Sequence, residues 1–142
     1  VKTSLDTNIV SGLLASTPQT ATISAHLGLC SQQGFLVISA PVYAESLAHP
    51  NLQSGFLKNF LAQTGIRTDF TLSESTWHEA GLRFAQYAIR RRKSSGQSPR
   101  RLMADFLIGA HTLERCDRLM TYDTSFYEQN FPEISLYPLP AA

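Results

Sequence analysis

Four carboxylates in this chain occupy positions where an α/β fold would bring them together: Asp6, Glu45, Asp105 and Asp123. Asp6 closes a short apolar segment, Leu5-Asp6-Thr7-Asn8, and Asp123 follows a second one, Leu119-Met120-Thr121-Tyr122-Asp123. If both segments are parallel strands, both acids lie at the carboxyl edge of one sheet, where open α/β folds bind ligands. Like charges gathered there raise one another's pKa unless a cation neutralises them, so the cluster points to divalent metal chemistry. Each acid also has a plain structural use. Asp6 can cap a helix, Asp105 can sit in a first helical turn against the macrodipole, Asp123-Thr124-Ser125 can form a cap or turn, and Glu45 can be a solvated helix residue. Convergence at one edge is what separates the two readings.

The elements that would position these acids alternate. Lys2–Leu5 reads as a short buried strand and Asn8–Ala15 as a turn or two of helix. Thr20–Gln33 reads as a helix with Ile23, Leu27 and Cys30 on one face and Gly34 as its stop. Phe35–Ile38 is the continuous apolar run of a doubly covered parallel strand. A helix starts near Pro41, which suits a first helical position, and runs through Glu45 toward His49. A second helix, capped by Asn51, carries Phe56, Leu57, Phe60 and Leu61. Ile66–Leu72 is a third strand candidate. Ser73–Lys93 is the longest helix, followed by a flexible loop at Ser94–Pro99. Helix resumes from Leu102 to Glu114, then a strand at Arg118–Thr121, a turn or short helix, and a last strand near Ile134–Tyr137. The expected fold class is α/β, a central and mainly parallel sheet with helices on both faces, in a single domain spanning residues 1–142.

Composition sets broad bounds. With 43% hydrophobic and 16% charged residues among 142, the chain is ordinary globular protein and not disordered. Two cysteines are too few for a disulfide framework and are expected as free thiols, which suits a reducing, cytoplasmic setting. No apolar run reaches bilayer-spanning length, and an acid interrupts the only apolar stretch near the start, so neither a membrane span nor a signal peptide is expected. The net charge of +1 hides an uneven distribution, because Arg90, Arg91, Arg92, Lys93, Arg100 and Arg101 supply half of the 12 basic side chains. They bracket the flexible loop just before Asp105. A solvated helix C-terminus would explain them; a basic lip holding nucleic-acid backbone beside the acids is the sharper reading.

Oxygen-only ligands select hard cations, Mg²⁺ or Mn²⁺. His26, His49, His78 and His111 are scattered without zinc-type spacing, and neither a nucleophile elbow nor a glycine-rich phosphate loop is present.

The ordered set Leu5-Asp6-Thr7-Asn8, Val42-Tyr43-Ala44-Glu45, Asp105-Phe106-Leu107-Ile108-Gly109-Ala110 and Thr121-Tyr122-Asp123-Thr124-Ser125-Phe126 resembles the PIN-domain ribonucleases. The likeness is greatest to the toxins of VapBC toxin–antitoxin pairs, and it runs from about Lys2 to the final strand. It implies a three-layer α/β/α domain and metal binding by Asp6, Glu45, Asp105 and Asp123, with Asn8 and Thr121 in support. It also implies RNA cleavage with Mg²⁺ or Mn²⁺, self-association as a homodimer and inhibition by a cognate antitoxin protein. The helices around Pro41–His49 and Asn51–Gln63 carry Val42, Tyr43, Leu47, Leu52, Phe56, Leu57, Phe60 and Leu61, more apolar surface than one small sheet face covers. An amphipathic antitoxin segment could lie in the groove they leave.

Two other functions compete. An aspartate-nucleophile phosphatase would want a second acid two residues after Asp6, where Asn8 stands, and a late lysine, where none follows Lys93. A non-catalytic binding module would use the acids only as helix caps.

Overall fold

A computed structural model describes residues 1–49, 55–95 and 101–141. Four parallel strands, β1 (Lys2–Leu5), β2 (Phe35–Ser39), β3 (Arg67–Asp69) and β4 (Arg118–Met120), form a sheet in the order β3-β2-β1-β4. Among the described residues seven helices connect and flank them: α1 (Thr7–Leu14), α2 (Thr20–Gln33), α3 (Ala40–Ser46), α4 (Phe56–Thr64), α5 (Glu74–Ser95), α6 (Met103–Arg115) and α7 (Thr124–Asn130). The chain leaves β1 toward β2 and β3, then crosses back to place β4 on the other side of β1. With right-handed crossovers, α1–α4 cover one face and α5–α6 the other, giving three layers. The point where the order reverses lies between β1 and β4, and the loops beyond their carboxyl ends open a crevice there.

Register follows burial. Ser4 pairs with Val37 and Leu119, and Leu5 pairs with Met120, so the apolar middle of each strand lies level with its neighbours. Leu5, Ile38, Leu119 and Met120 are fully buried, as a sheet covered on both faces requires. Phe106 of α6 organises the α5–α6–α7 layer. Its ring meets Phe84 at 5.1 Å, Tyr87 at 5.5 Å and Phe126 at 5.2 Å between centroids. One turn on, Gly109 lies against the Phe131 ring so closely that a Cβ there would overlap it.

Most predicted elements are present, with shifted ends. β3 is only three residues long; Ile66 is buried just before it, but the chain leaves the sheet after Asp69. α5 continues through Ser94 and Ser95, two residues that the composition assigns to a loop. The last expected strand is reduced to one parallel bridge, Leu119 to Leu136, held by Leu119 N–H to Ser135 O at 2.9 Å and Tyr137 N–H to Leu119 O at 2.8 Å. The Asn51 cap, Leu52 and most of the loop before Arg101, including Arg100, lie outside the described residues. α4 ends on a left-handed glycine, Gly65 at φ 74°. Cys30 and Cys116 are both free thiols, the first buried. No described helix is long and apolar enough to cross a membrane.

Candidate active site

Asp6 is placed by two ties at the end of β1. Its backbone N–H donates to Met120 O at 3.0 Å, locking the strand end to β4, and its carboxylate caps α1 by accepting from Thr7 N–H at 2.8 Å. The second carboxylate oxygen accepts from the Thr121 hydroxyl at 2.7 Å and from Asn8 Nδ2 at 3.4 Å. Thr121 is used to its full capacity, since Oγ1 also accepts from Asp123 N–H at 2.9 Å and Asn8 Nδ2 at 3.3 Å. Asn8 completes the knot by accepting from Tyr122 N–H at 3.2 Å. Asn8 and Thr121 thus lace the first turn of α1 to the loop after β4.

The other acids arrive on helices. Glu45, on α3, accepts from the Thr7 hydroxyl at 2.6 Å, which ties it to the residue following Asp6. Asp105 is the third residue of α6, and accepts from Leu102 N–H at 3.3 Å. This is half of a capping box, since Leu102 offers no side-chain acceptor in return. Asp123 stands at the N-terminus of α7 without capping it. Instead both of its oxygens are taken by Arg101, from Nη1 at 2.6 Å and Nη2 at 3.2 Å, and that guanidinium lies 4.6 Å from the centroid of the Phe126 ring.

The four acids share an electrostatic field. Burial pushes the Asp6 carboxyl up to about 6, the charge on Asp105 adds to this, and the bonds from Thr121 and Thr7 resist it. Burial also raises Asp105, with Glu45 and Asp123 adding and Arg101 opposing. A fifth member, absent from the sequence reading, is Tyr127. It is fully buried on α7, and burial, Asp6, Asp105 and Asp123 together drive its phenol well above the ordinary range. It therefore stays protonated, and the neutral phenol slightly opposes the rise of the Asp6 carboxyl. The four-residue interval from Asp123 to Tyr127, one turn of helix, was the available signal.

Among the described residues, no three His, Cys, Asp or Glu side chains converge closely enough, as they lie, to hold a metal ion. In donor type and charge the set still fits a hard divalent cation. The donors are all oxygen, the acids sense one another's charge, and burial raises Asp6 and Asp105 toward neutrality, a cost that a cation would relieve.

The basic stretch is not a uniform lip. Arg90 donates to Asn130 Oδ1 at 2.6 Å, and Arg101 is held by Asp123. Arg91 is half-buried, Arg92 and Lys93 are exposed, and Arg100 is outside the described residues. Along α3 and α4, Val42, Leu57 and Leu61 are core and Tyr43 and Phe60 are half-buried, while Leu47 and Phe56 are exposed. Beside them Phe70, 62% exposed, stacks edge-on against Tyr43 at 5.1 Å.

Comparison with known proteins places these features in context. The sequence profile of the PIN domain matches residues 4–132. No curated protein sequence matches the chain. Among solved structures, the chain is similar to one in VapBC2 from Rickettsia felis bound to a DNA fragment from their promoter. The two are 20% identical with a TM-score of 0.67, over 99% of this chain and 100% of that one. It is similar also to a chain of VapBC-1 from nontypeable Haemophilus influenzae, 19% identical with a TM-score of 0.65, over 96% and 97%. A third likeness is to a chain of FitAcB from Neisseria gonorrhoeae, 21% identical with a TM-score of 0.54, over 96% of each.

Proposed function

The chain belongs to the PIN-domain family, and on that footing we propose that it is a metal-dependent endoribonuclease, the toxin of a toxin–antitoxin pair. One observation carries the reading. Asp6, Glu45, Asp105 and Asp123 come from four separate elements and share one field at the strand-order reversal, although helix capping alone would give them no reason to meet. In this reading the four acids hold Mg²⁺ or Mn²⁺, brought into reach by rotation of side chains already at the crevice. The cation would supply a bound water of lowered pKa and charge stabilisation at the scissile phosphate.

The chain's own residues divide the remaining work. Asn8 and Thr121 orient Asp6 and Asp123. Thr7 aims Glu45, and Tyr127 donates to Asp6 and closes the floor of the site to water. Arg91, Arg92, Lys93 and Arg100 hold RNA backbone along the rim, with no sequence preference of their own. Arg90 belongs to the same basic stretch and is tied to Asn130 Oδ1.

The partner of the pair is a cognate antitoxin. Exposed Leu47, the Tyr43–Phe70 pair and the Phe56–Phe60 pair leave apolar side chains uncovered on and near α3 and α4, suited to an amphipathic segment that folds as it binds. The similar chains from Rickettsia and Haemophilus were solved in VapBC assemblies, which supports this assignment. Homodimerisation, action in the cytoplasm and a single domain over residues 1–142 complete the proposal.

The test is incubation with total RNA in Mg²⁺ or Mn²⁺ and then with chelator, beside an Asp105→Asn variant. Cleavage that needs cation and falls by orders of magnitude in the variant supports the reading. Equal cleavage by Asp105→Asn, or cleavage that survives chelation, overturns it. The non-catalytic alternative predicts no cleavage under any of these conditions.

A further inference from the structure

Arg101 is the one described cation bonded directly to a carboxylate of the acidic crevice. Its placement is specific. It lies just before α6, four residues ahead of Asp105, with its guanidinium carbon over the Phe126 ring and its fork spanning both Asp123 oxygens. Ring contact and fork together hold the head group in place, which a lysine could not reproduce. In this geometry Asp123 has no oxygen free of the guanidinium. Loss of the Asp123 contact would leave Arg101 on a short tether at the rim, beside the surface on which RNA backbone would run.

We propose that Arg101 is a phosphate-positioning residue stored on the acidic site itself, paired with Asp123 in the cation-free protein and released to an RNA phosphate when Asp123 turns to the cation. The inference rests on the metal-site reading above. It explains why a nuclease of this kind would keep a bidentate arginine on one of its own ligands. The arginine offsets acid repulsion in the empty site, and it becomes available for phosphate only when the site is loaded. A guanidinium fork matches phosphate oxygens as well as it matches a carboxylate, so the exchange replaces like with like. Both partners are partly exposed, 36% for Arg101 and 28% for Asp123, so the pair is weak enough to be reversed by a bound cation.

The experiment measures Mn²⁺ affinity by calorimetry on four proteins: wild type, Arg101→Gln, Asp123→Asn and the double variant. Single-stranded RNA binding is measured against salt in Ca²⁺ and in chelator. If Arg101 competes for Asp123, Arg101→Gln binds Mn²⁺ about two- to fivefold more tightly than wild type, the range of a partly exposed ion pair. That gain disappears when Asp123→Asn is already present, because the competition needs the carboxylate. For RNA in Ca²⁺, Arg101→Gln loses roughly 0.7 of the logarithmic salt slope, one phosphate contact on a single strand, and in chelator the two proteins coincide. A tightening that persists undiminished in the Asp123→Asn background would mean that Arg101 acts only as a distant charge, and would overturn the proposal. So would unchanged Mn²⁺ affinity, or an unchanged salt slope in Ca²⁺. A wild-type protein that binds no Mn²⁺ at all would instead refute the metal-site reading and this inference with it, a result distinct from the other failures.

Discussion

Replacing Asp6 by asparagine removes one negative charge from the most buried position of the acidic crevice, and its effect on stability should reverse with pH and with metal. In the folded protein burial raises the Asp6 carboxyl from 3.8 to about 6. A rise of that size corresponds to about 3 kcal/mol of folded-state cost once the group is ionised in both states. The folded state then binds the proton more tightly than the unfolded chain. Below pH 3.8 both are protonated and the cost is absent. Between 3.8 and about 6 wild-type stability falls as pH rises, and above 6 the cost is complete. Asparagine escapes this cost but is a poorer acceptor. It can keep the Thr7 N–H bond, but its NH₂ then faces the Asn8 amide and the Thr121 hydroxyl, whose two acceptor positions are already filled by Asn8 and the Asp123 N–H, a loss of about 1–2 kcal/mol. In chelator, Asp6→Asn should therefore be about 1–2 kcal/mol more stable than wild type at pH 7.5 and slightly less stable at pH 4. Urea unfolding followed by circular dichroism from pH 4 to 8 reads this directly. Adding Mn²⁺ at a hundred times its dissociation constant should restore about 2.7 kcal/mol to wild type and little to the variant, reversing their order. A stability difference that does not vary with pH would refute the burial argument. A variant less stable at every pH would show that the hydrogen bonds at Asp6 outweigh its desolvation.

Tyr127→Phe should raise the Asp6 pKa further by removing a donor, so that the pH at which RNA cleavage reaches half its maximum moves upward; a pH–rate profile identical to wild type would count against the phenol. Gly109→Val drives a side chain into the Phe131 ring and should cost about 1–3 kcal/mol in urea unfolding, with cleavage by the remaining folded protein unchanged. Phe106→Ala empties the centre of the α5–α6–α7 layer and should cost about 3–5 kcal/mol by the same assay. Neutralising Arg91, Arg92, Lys93 and Arg100 together should weaken RNA binding and flatten its salt dependence, read by titration at several salt concentrations; an unchanged slope would mean that they form only a solvated helix end.

Much of the fold was legible in the order of residues, because local rules set most of it. The apolar run at Phe35–Ile38, the glycine stop after Thr20–Gln33 and the regular return of apolar residues along α5 and α6 each reflect a nearest-neighbour requirement of strand or helix. Element ends were less legible. Whether Phe70 to Leu72 extend β3 depends on a neighbouring strand to pair with, and Ser94 and Ser95 stay helical in α5 against their turn-like composition. The last strand shrinks to one bridge for the same reason, since sheet pairing is a property of two segments at once.

The site divides in a similar way. Sequence alone determined which acids were candidates: Asp6 and Asp123 follow strands, Asp105 opens a helix and Glu45 lies on an otherwise apolar one, and strand order then carries them to one edge. Only the tertiary structure decided how those acids are held. The hydroxyl of Thr121 is shared between Asp6, Asn8 and the Asp123 backbone across more than a hundred residues of chain. Arg101, which the linear charge pattern grouped with a basic lip, turns inward onto Asp123. Tyr127, which the linear pattern did not single out, is buried where its phenol acts on Asp6. A side chain's type is written in the sequence. Which of its several possible partners it meets depends on distances between remote elements, and those exist only once the sheet has formed.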